Sequence, residues 1–181
     1  MNNAESDRGV LGRAFTLLDA LVSHSDGVGL SWIAHSCGVP KTTAYRLLRQ
    51  LEALGAVQRC DGLYRVGSNL FRLGQAWEPY PRLLSAARRP LDVLAAATKA
   101  SAVLTVRSHG GVMIAAASPV RVEDALLLRP GCAVPEGVEL VMAPVLAPTG
   151  RNVGMVGTVS RDHPQPGFVS EIARAVSAAL R

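Results

Sequence analysis

Gly38-Val39-Pro40 is the stretch that most constrains how this 181-residue chain folds. A helix running to Cys37 has to stop at Gly38, where a left-handed C-cap is expected. Pro40 then opens a new helix, at the one position where a missing N–H costs nothing. The residues on either side fit. Ser31 is the expected N-cap of the short helix ending at Cys37, with Leu30, Ile33 and Ala34 on its inner face. Ahead of it, Leu11, Ala14, Phe15, Leu18, Leu21 and Val22 recur at helical spacing over residues 10–23. A polar break, Ser23 to Gly29, separates the two.

The helix after the turn, Lys41 to Leu54, is two-faced. At 100° per residue, Ala44, Leu47, Leu48, Leu51 and Leu54 share one side, and Thr42, Tyr45, Arg46 and Arg49 the other. Thr42 and Thr43 lie in the first turn, where free N–H groups and the helix dipole favour a phosphate. Such a division suits a helix that packs on its own domain and enters a major groove. Alone, it suits an ordinary amphipathic helix with a solvated face equally well.

The next segment of the chain tilts the balance. Asp61-Gly62 lies between two β-prone runs, Ala56–Cys60 and Leu63–Val66, which predicts a two-residue hairpin. In that register Val57 faces Val66 and Arg59 faces Tyr64. Three helices and a hairpin make a winged helix-turn-helix, with Arg59 and Arg65 beside the flanking phosphates. The charge distribution agrees. Residues 1–40 carry a net charge of −2, whereas residues 41–75 set Lys41, Arg46, Arg49, Arg59, Arg65 and Arg72 against Glu52 and Asp61, a net +4. Only Lys41 and Lys99 are lysines, so most of the positive charge is guanidinium, which binds phosphate and guanine edges in bidentate fashion.

Leu30-Ser-Trp-Ile-Ala34, Gly38-Val-Pro-Lys-Thr-Thr-Ala-Tyr-Arg-Leu-Leu48, Leu51-Glu-Ala-Leu-Gly55, Tyr64-Arg-Val-Gly67 and Leu70…Leu73-Gly74 resemble, in order, the DNA-binding domain of the IclR family of bacterial transcriptional regulators. The resemblance is collinear over roughly residues 9–75. It implies that Lys41, Thr42, Thr43, Tyr45, Arg46 and Arg49 face DNA, and that the first helix and a linking helix mediate dimerisation.

Ser68 to Trp77 is read as that linking helix, interrupted by Glu78-Pro-Tyr-Pro81. Arg82 to Lys99 is predicted to be helical, with Leu83, Leu84, Ala87, Leu91, Leu94 and Ala95 as its apolar stripe and Pro90 as a bend. Arg88-Arg89 reads as a solvated pair. Two strands are expected around His109-Gly110-Gly111, a third over Ala125–Leu128, and a hairpin of Val138–Leu146 and Val153–Val159 about Pro148-Thr-Gly150. Val169, Ile172, Ala173, Val176 and Leu180 mark a closing helix. The expected fold is α+β: a winged helix-turn-helix at 9–67, a linker at 68–81, and at 82–181 an antiparallel sheet with helices on one side.

The second half resembles a shortened form of the family's GAF-like effector domain, which in many members binds small organic acids. Leu91-Asp-Val-Leu-Ala95, Gly137–Val145 and Gly150–Ser160 correspond to its entry helix and last two strands. Between Gly131 and Val138 the segment that covers the family's ligand cavity is missing. The positions that present polar groups to a ligand carboxylate carry Leu140, Gly157 and Val159. The concave side is therefore expected to be shallow or open, and organic-acid effectors are not expected to bind. The sheet would then serve dimerisation or stability.

Little else in the chain carries chemistry. His24, His35, His109 and His163 with Cys37, Cys60 and Cys132 form no metal-ligand spacing, and no catalytic group or phosphate-binding glycine motif stands out, so neither catalysis nor a cofactor nor a metal is expected. Three separated cysteines fit a reducing cytoplasm. A polar, acidic start lacks a secretory pattern, and no uncharged stretch is long enough for a membrane span. The expected function is a sequence-specific transcriptional regulator, a repressor, that binds a palindromic operator in double-stranded DNA as a homodimer, with a tetramer as the larger alternative. The alternatives are a metabolite-sensing regulator with ligand-controlled DNA binding, and an interaction protein that pairs with a full-length relative.

Overall fold

The structure, a computed structural model, describes residues 9–22, 24, 26–108, 111–159 and 166–181. The expected turn at His109-Gly110, part of the break at 23–29, and His163 lie outside them. Contacts divide the chain into two units, one ending at Trp77 and one beginning at Glu78.

The first unit runs α1 (Val10–Val22), α2 (Leu30–Ser36), α3 (Lys41–Ala53), β1 (Val57–Cys60), β2 (Leu63–Val66), α4 (Ser68–Gly74). Its core joins Leu17, Leu18 and Leu21 of α1, Ile33 and Ala34 of α2, and Ala44, Leu47, Leu48 and Leu51 of α3 to Val57 and Tyr64 of the hairpin. Gly38 takes φ +63°, as the left-handed cap requires. β1 and β2 pair antiparallel with Val57 opposite Val66 and Arg59 opposite Tyr64. Asp61 and Gly62 both have positive φ, the geometry of a tight hairpin turn. Gly67 is fixed by proximity. A Cβ there would lie 2.2 Å from the Gly55 carbonyl oxygen, so only glycine lets the chain leave β2 so close to β1.

Four details differ from the sequence expectation. The N-cap of α2 is Gly29, not Ser31, because Val28 and Tyr64 exchange backbone hydrogen bonds of 3.0 and 2.8 Å that hold the chain extended up to Gly29. Pro40 is the N-cap of α3, and Lys41 its first helical residue. Leu54 is 67% exposed, since it caps α3 beyond the last turn that the core covers. In α1 the buried stripe is Leu17, Leu18 and Leu21, while Leu11, Phe15 and Val22 point outward.

The second unit contains α5 (Leu83–Thr98), β3 (Ser101–Ser108), β4 (Gly111–Ser118), α6 (Val122–Leu127), β5 (Leu140–Leu146), β6 (Asn152–Val159) and α7 (Pro166–Ala179). The four strands form an antiparallel sheet in the order β4-β3-β6-β5. Alternation along β3 assigns its two faces. Ala102, Leu104 and Val106 join a core with Leu83, Ala87, Leu91, Leu94 and Ala95 of α5 and Val169, Ile172, Ala173 and Val176 of α7. Val103 belongs to a smaller cluster on the opposite face, with Ile114 and Leu128, bordered by Leu140, Met142 and Val159.

The expected strand at Ala125–Leu128 is instead α6 and its C-cap. Glu123 and Asp124 sit in its first turn, where the helix dipole favours negative charge. Buried Asp124 accepts a 2.6 Å hydrogen bond from Ser101 Oγ, which in turn accepts from the Val120 N–H. A four-residue apolar run carries no periodicity that would distinguish helix from strand. The long helices α5 and α7 cover one face of the sheet, as expected, while Leu128 and Val134, beyond the end of α6, pack on the other.

Candidate nucleic-acid interface

Burial splits α3 as its sequence does. Ala44, Leu47 and Leu48 are at most 2% exposed, whereas Lys41, Thr42, Tyr45, Arg46 and Arg49 are exposed and Thr43 is half-buried. At 1.5 Å rise per residue, Thr42 to Arg49 forms a stripe about 10 Å long, comparable to the width of a major groove. No side chain caps the start of α3, and its first helical bond runs from the Ala44 N–H to the Pro40 carbonyl. The N–H groups ahead of Ala44 therefore remain available to an anion.

The hairpin holds its two arginines differently. The Arg59 guanidinium lies 5.4 Å from the centroid of the buried Tyr64 ring, a cation–π arrangement that directs the side chain along the wing. Arg65 donates from Nε to the Asp26 carbonyl at 3.0 Å. It is half-buried over Gly27, where an added Cβ would come within 2.8 Å of it. Arg65 thus braces the loop between α1 and α2 while keeping its terminal nitrogens for other partners.

The fold also brings residues to this surface that the sequence pattern does not single out. Arg13 of α1 and His35 and Ser36 of α2 line, with Thr43, a depression of about 610 Å³ beside the start of α3. Arg13 lies 28 positions before Lys41, and no local periodicity links the two; only the crossing of α1 over the turn does. Cys37, which lines the same depression, donates from Sγ to the Thr16 carbonyl at 3.6 Å. Burial, and secondarily the Asp19 carboxylate, push its thiol above the ordinary range, so it stays protonated at neutral pH. Among the described residues no cluster of three or more His, Cys, Asp or Glu side chains could hold a metal, and no helix is long and apolar enough to cross a membrane.

On the second unit, the positions that the family resemblance marks for a ligand carboxylate fall on one patch of sheet. Leu140 pairs with Val159, and Met142 with Gly157. A Cβ on Gly157 would lie 2.2 Å from both the Met142 sulfur and the Val141 carbonyl oxygen, so that position has no room for a serine without movement of backbone. The adjoining depression, about 430 Å³, is lined by Leu127, Leu128 and Val138 and carries two carboxylates, Asp124 and Glu139.

Residues 10–60 match the IclR helix-turn-helix domain. The chain is 37% identical over 106 residues to the glycerol operon regulatory protein of Streptomyces coelicolor, and 35% identical over 106 residues to that of Streptomyces griseus. Each match covers 58% of this chain but only 42% of the relative, so the chain spans less than half the length of the curated relatives it matches. Among solved structures, an IclR homolog from Microbacterium hydrocarbonoxydans complexed with 4-hydroxybenzoate superposes with a TM-score of 0.72 at 16% identity, covering 95% of this chain and 99% of that one. This likeness extends the shared fold to the sheet-containing unit. Over residues 10–60 the chain is thus similar to the IclR helix-turn-helix domain, and over 106 residues to two glycerol operon regulatory proteins.

Proposed function

We propose that the protein is a cytoplasmic, sequence-specific DNA-binding transcriptional regulator, that it acts as a repressor, and that it has no enzymatic activity. The observation that carries this reading is the exposed polar face of α3: Lys41, Thr42, Tyr45, Arg46 and Arg49 stand outward over a closed leucine core, within an IclR helix-turn-helix domain. Arg46 and Arg49 are the side chains able to reach guanine edges. Lys41, Thr42, Thr43, Arg59 and Arg65 are suited to phosphates.

The operator would be read by a homodimer. Leu11 and Phe15 of α1 are 76% and 64% exposed, and Phe71 of α4 is 70% exposed. Large apolar side chains left in water on two helices of one small unit favour a second copy of that unit as their cover. Two recognition helices related by a two-fold axis call for a palindromic site.

Ligand control by organic acids is not part of the proposal. A carboxylate placed at Leu140, Gly157 and Val159 would meet no side-chain donor, and Asp124 and Glu139 beside it would repel the charge. A gel-shift with promoter-sized duplexes from the DNA neighbouring the gene, together with light scattering at micromolar concentration, tests the proposal. A retarded complex containing two protomers is expected. A 19.0 kDa monomer that stays monomeric with every duplex would reject it.

A further inference from the structure

The sheet of the second unit is split between its two middle strands. β3 and β6 pair from Ser101↔Val159 to Thr105↔Met155 and no further. β3 continues beyond that point with β4 alone, through Ser108↔Gly111, and β6 with β5 alone, through Asn152. A bulge lies on each outer pairing, at Leu104/Thr105 and at Val145/Leu146. Central strands ordinarily bond on both edges, because an unpaired buried N–H or C=O is costly. Here their facing edges part and enclose a cavity of about 470 Å³, within the size range of small-molecule sites.

The lining gives the split a definite chemistry. Arg107 and Arg151 enter from its two sides, and no carboxylate lines it among the described residues. Arg151 lies with its guanidinium 5.9 Å from the Tyr80 ring centroid, which restrains it. At the inner end sits Thr105, whose side chain is 2% exposed and takes part in no hydrogen bond within the described protein. Among the described residues no fully enclosed side-chain polar atom lacks a partner, so the Thr105 hydroxyl keeps some solvent contact, and Thr105 lines the cavity. Val112, Val153 and Met155 supply apolar wall.

We infer that this split is a binding site for a small phosphate-bearing compound, with Arg107 and Arg151 gripping the phosphate, Thr105 hydrogen-bonding to it and the valines packing on the uncharged body. Two guanidiniums with no opposing carboxylate match a phosphate monoester, whose charge approaches −2 at neutral pH, better than the single charge of a carboxylate. The site is separate from the Leu140–Val159 patch and is independent of the DNA-binding proposal.

Isothermal titration of the full chain with phenyl phosphate, inorganic phosphate and benzoate tests the inference. Phenyl phosphate should bind saturably, and benzoate, of similar shape, about tenfold more weakly or not at all. Arg107→Ala or Arg151→Ala should weaken phenyl phosphate binding by about ten- to a hundredfold, the effect of removing one charge-assisted bond. Both side chains are exposed, so the variants should retain the wild-type melting curve. Thr105→Val should weaken binding while keeping side-chain shape. Saturable binding of inorganic phosphate as tight as that of the ester would keep the phosphate in the split and remove the role of the apolar wall. No saturable binding of either phosphate, equal binding of benzoate, or binding unchanged in the Arg107→Ala/Arg151→Ala double variant would overturn the inference.

Discussion

Two surfaces of this protein handle polarity in opposite ways. On α3, the side turned away from the core carries hydroxyls, a phenol and two guanidiniums on a rigid helix. On the second unit, the sheet face opposite α5 and α7 carries Val103, Ile114, Leu140, Met142 and Val159, and a short segment ending in Leu128 and Val134 packs onto it. Both surfaces are backed by a well-filled core. The difference lies in what each contributes to stability. The outer face of α3 is not needed to hold the domain together and can be committed to a partner. The sheet face has been recruited into packing, and Gly157 there is closed off by the Met142 sulfur and the Val141 carbonyl.

The comparison breaks if the faces of α3 are exchanged in effect. Leu48→Ala removes a fully buried side chain and should destabilise the first unit by about 2–5 kcal/mol through a cavity. Arg46→Ala or Arg49→Ala should leave the thermal unfolding curve in place and weaken specific DNA binding by about 1–3 kcal/mol where the side chain reads a base. Chemical denaturation and fluorescence anisotropy on the same variants separate the two effects. Unfolded arginine variants alongside stable leucine variants would invert the assignment.

On the sheet, Gly157→Ser supplies the hydroxyl that the resemblance leads one to expect. It should destabilise the second unit by about 1–3 kcal/mol through overpacking and should not create carboxylate binding. A stable Gly157→Ser variant would mean that the strands part more easily than their spacing suggests. The smallest expected effect is none. 4-Hydroxybenzoate and short-chain acids should leave the melting temperature of the wild-type chain unchanged, although an effector at a hundred times its Kd would add about 2.7 kcal/mol. A saturable shift accompanied by release of DNA would favour ligand-controlled regulation instead.

The winged helix-turn-helix was legible because each of its parts is specified locally. Gly38 and Pro40 fix the turn, the 3.6-residue period fixes the buried side of α3, and Asp61-Gly62 fixes the register of the wing. The departures arose where a distant partner decides. Val28 is held by Tyr64, which moves the start of α2 to Leu30. Asp124 finds Ser101, 23 positions away, and anchors a helix where a bare apolar run read as strand. Phe15 keeps helical spacing with Leu18 and Leu21, yet points outward, because period alone gives a stripe but not which edge of it the core covers. Arg13 and Thr43 meet only through tertiary crossing. The split between β3 and β6 left no trace that alternation could register, since Thr105 and Met155 continue their strands without a break in pattern.

The central claim is that the basic, polar face of the first unit binds duplex DNA, and the salt dependence of binding tests it most directly. Residues 41–75 present six basic side chains against two acidic ones. If about six phosphates are neutralised, log Kobs should fall with log salt at a slope of about −5, a loss of about a thousandfold between about 50 and 200 mM. That steep decline, on a duplex bound by a two-fold protein, is the predicted result. Weak binding that stays flat across the same range would contradict the claim.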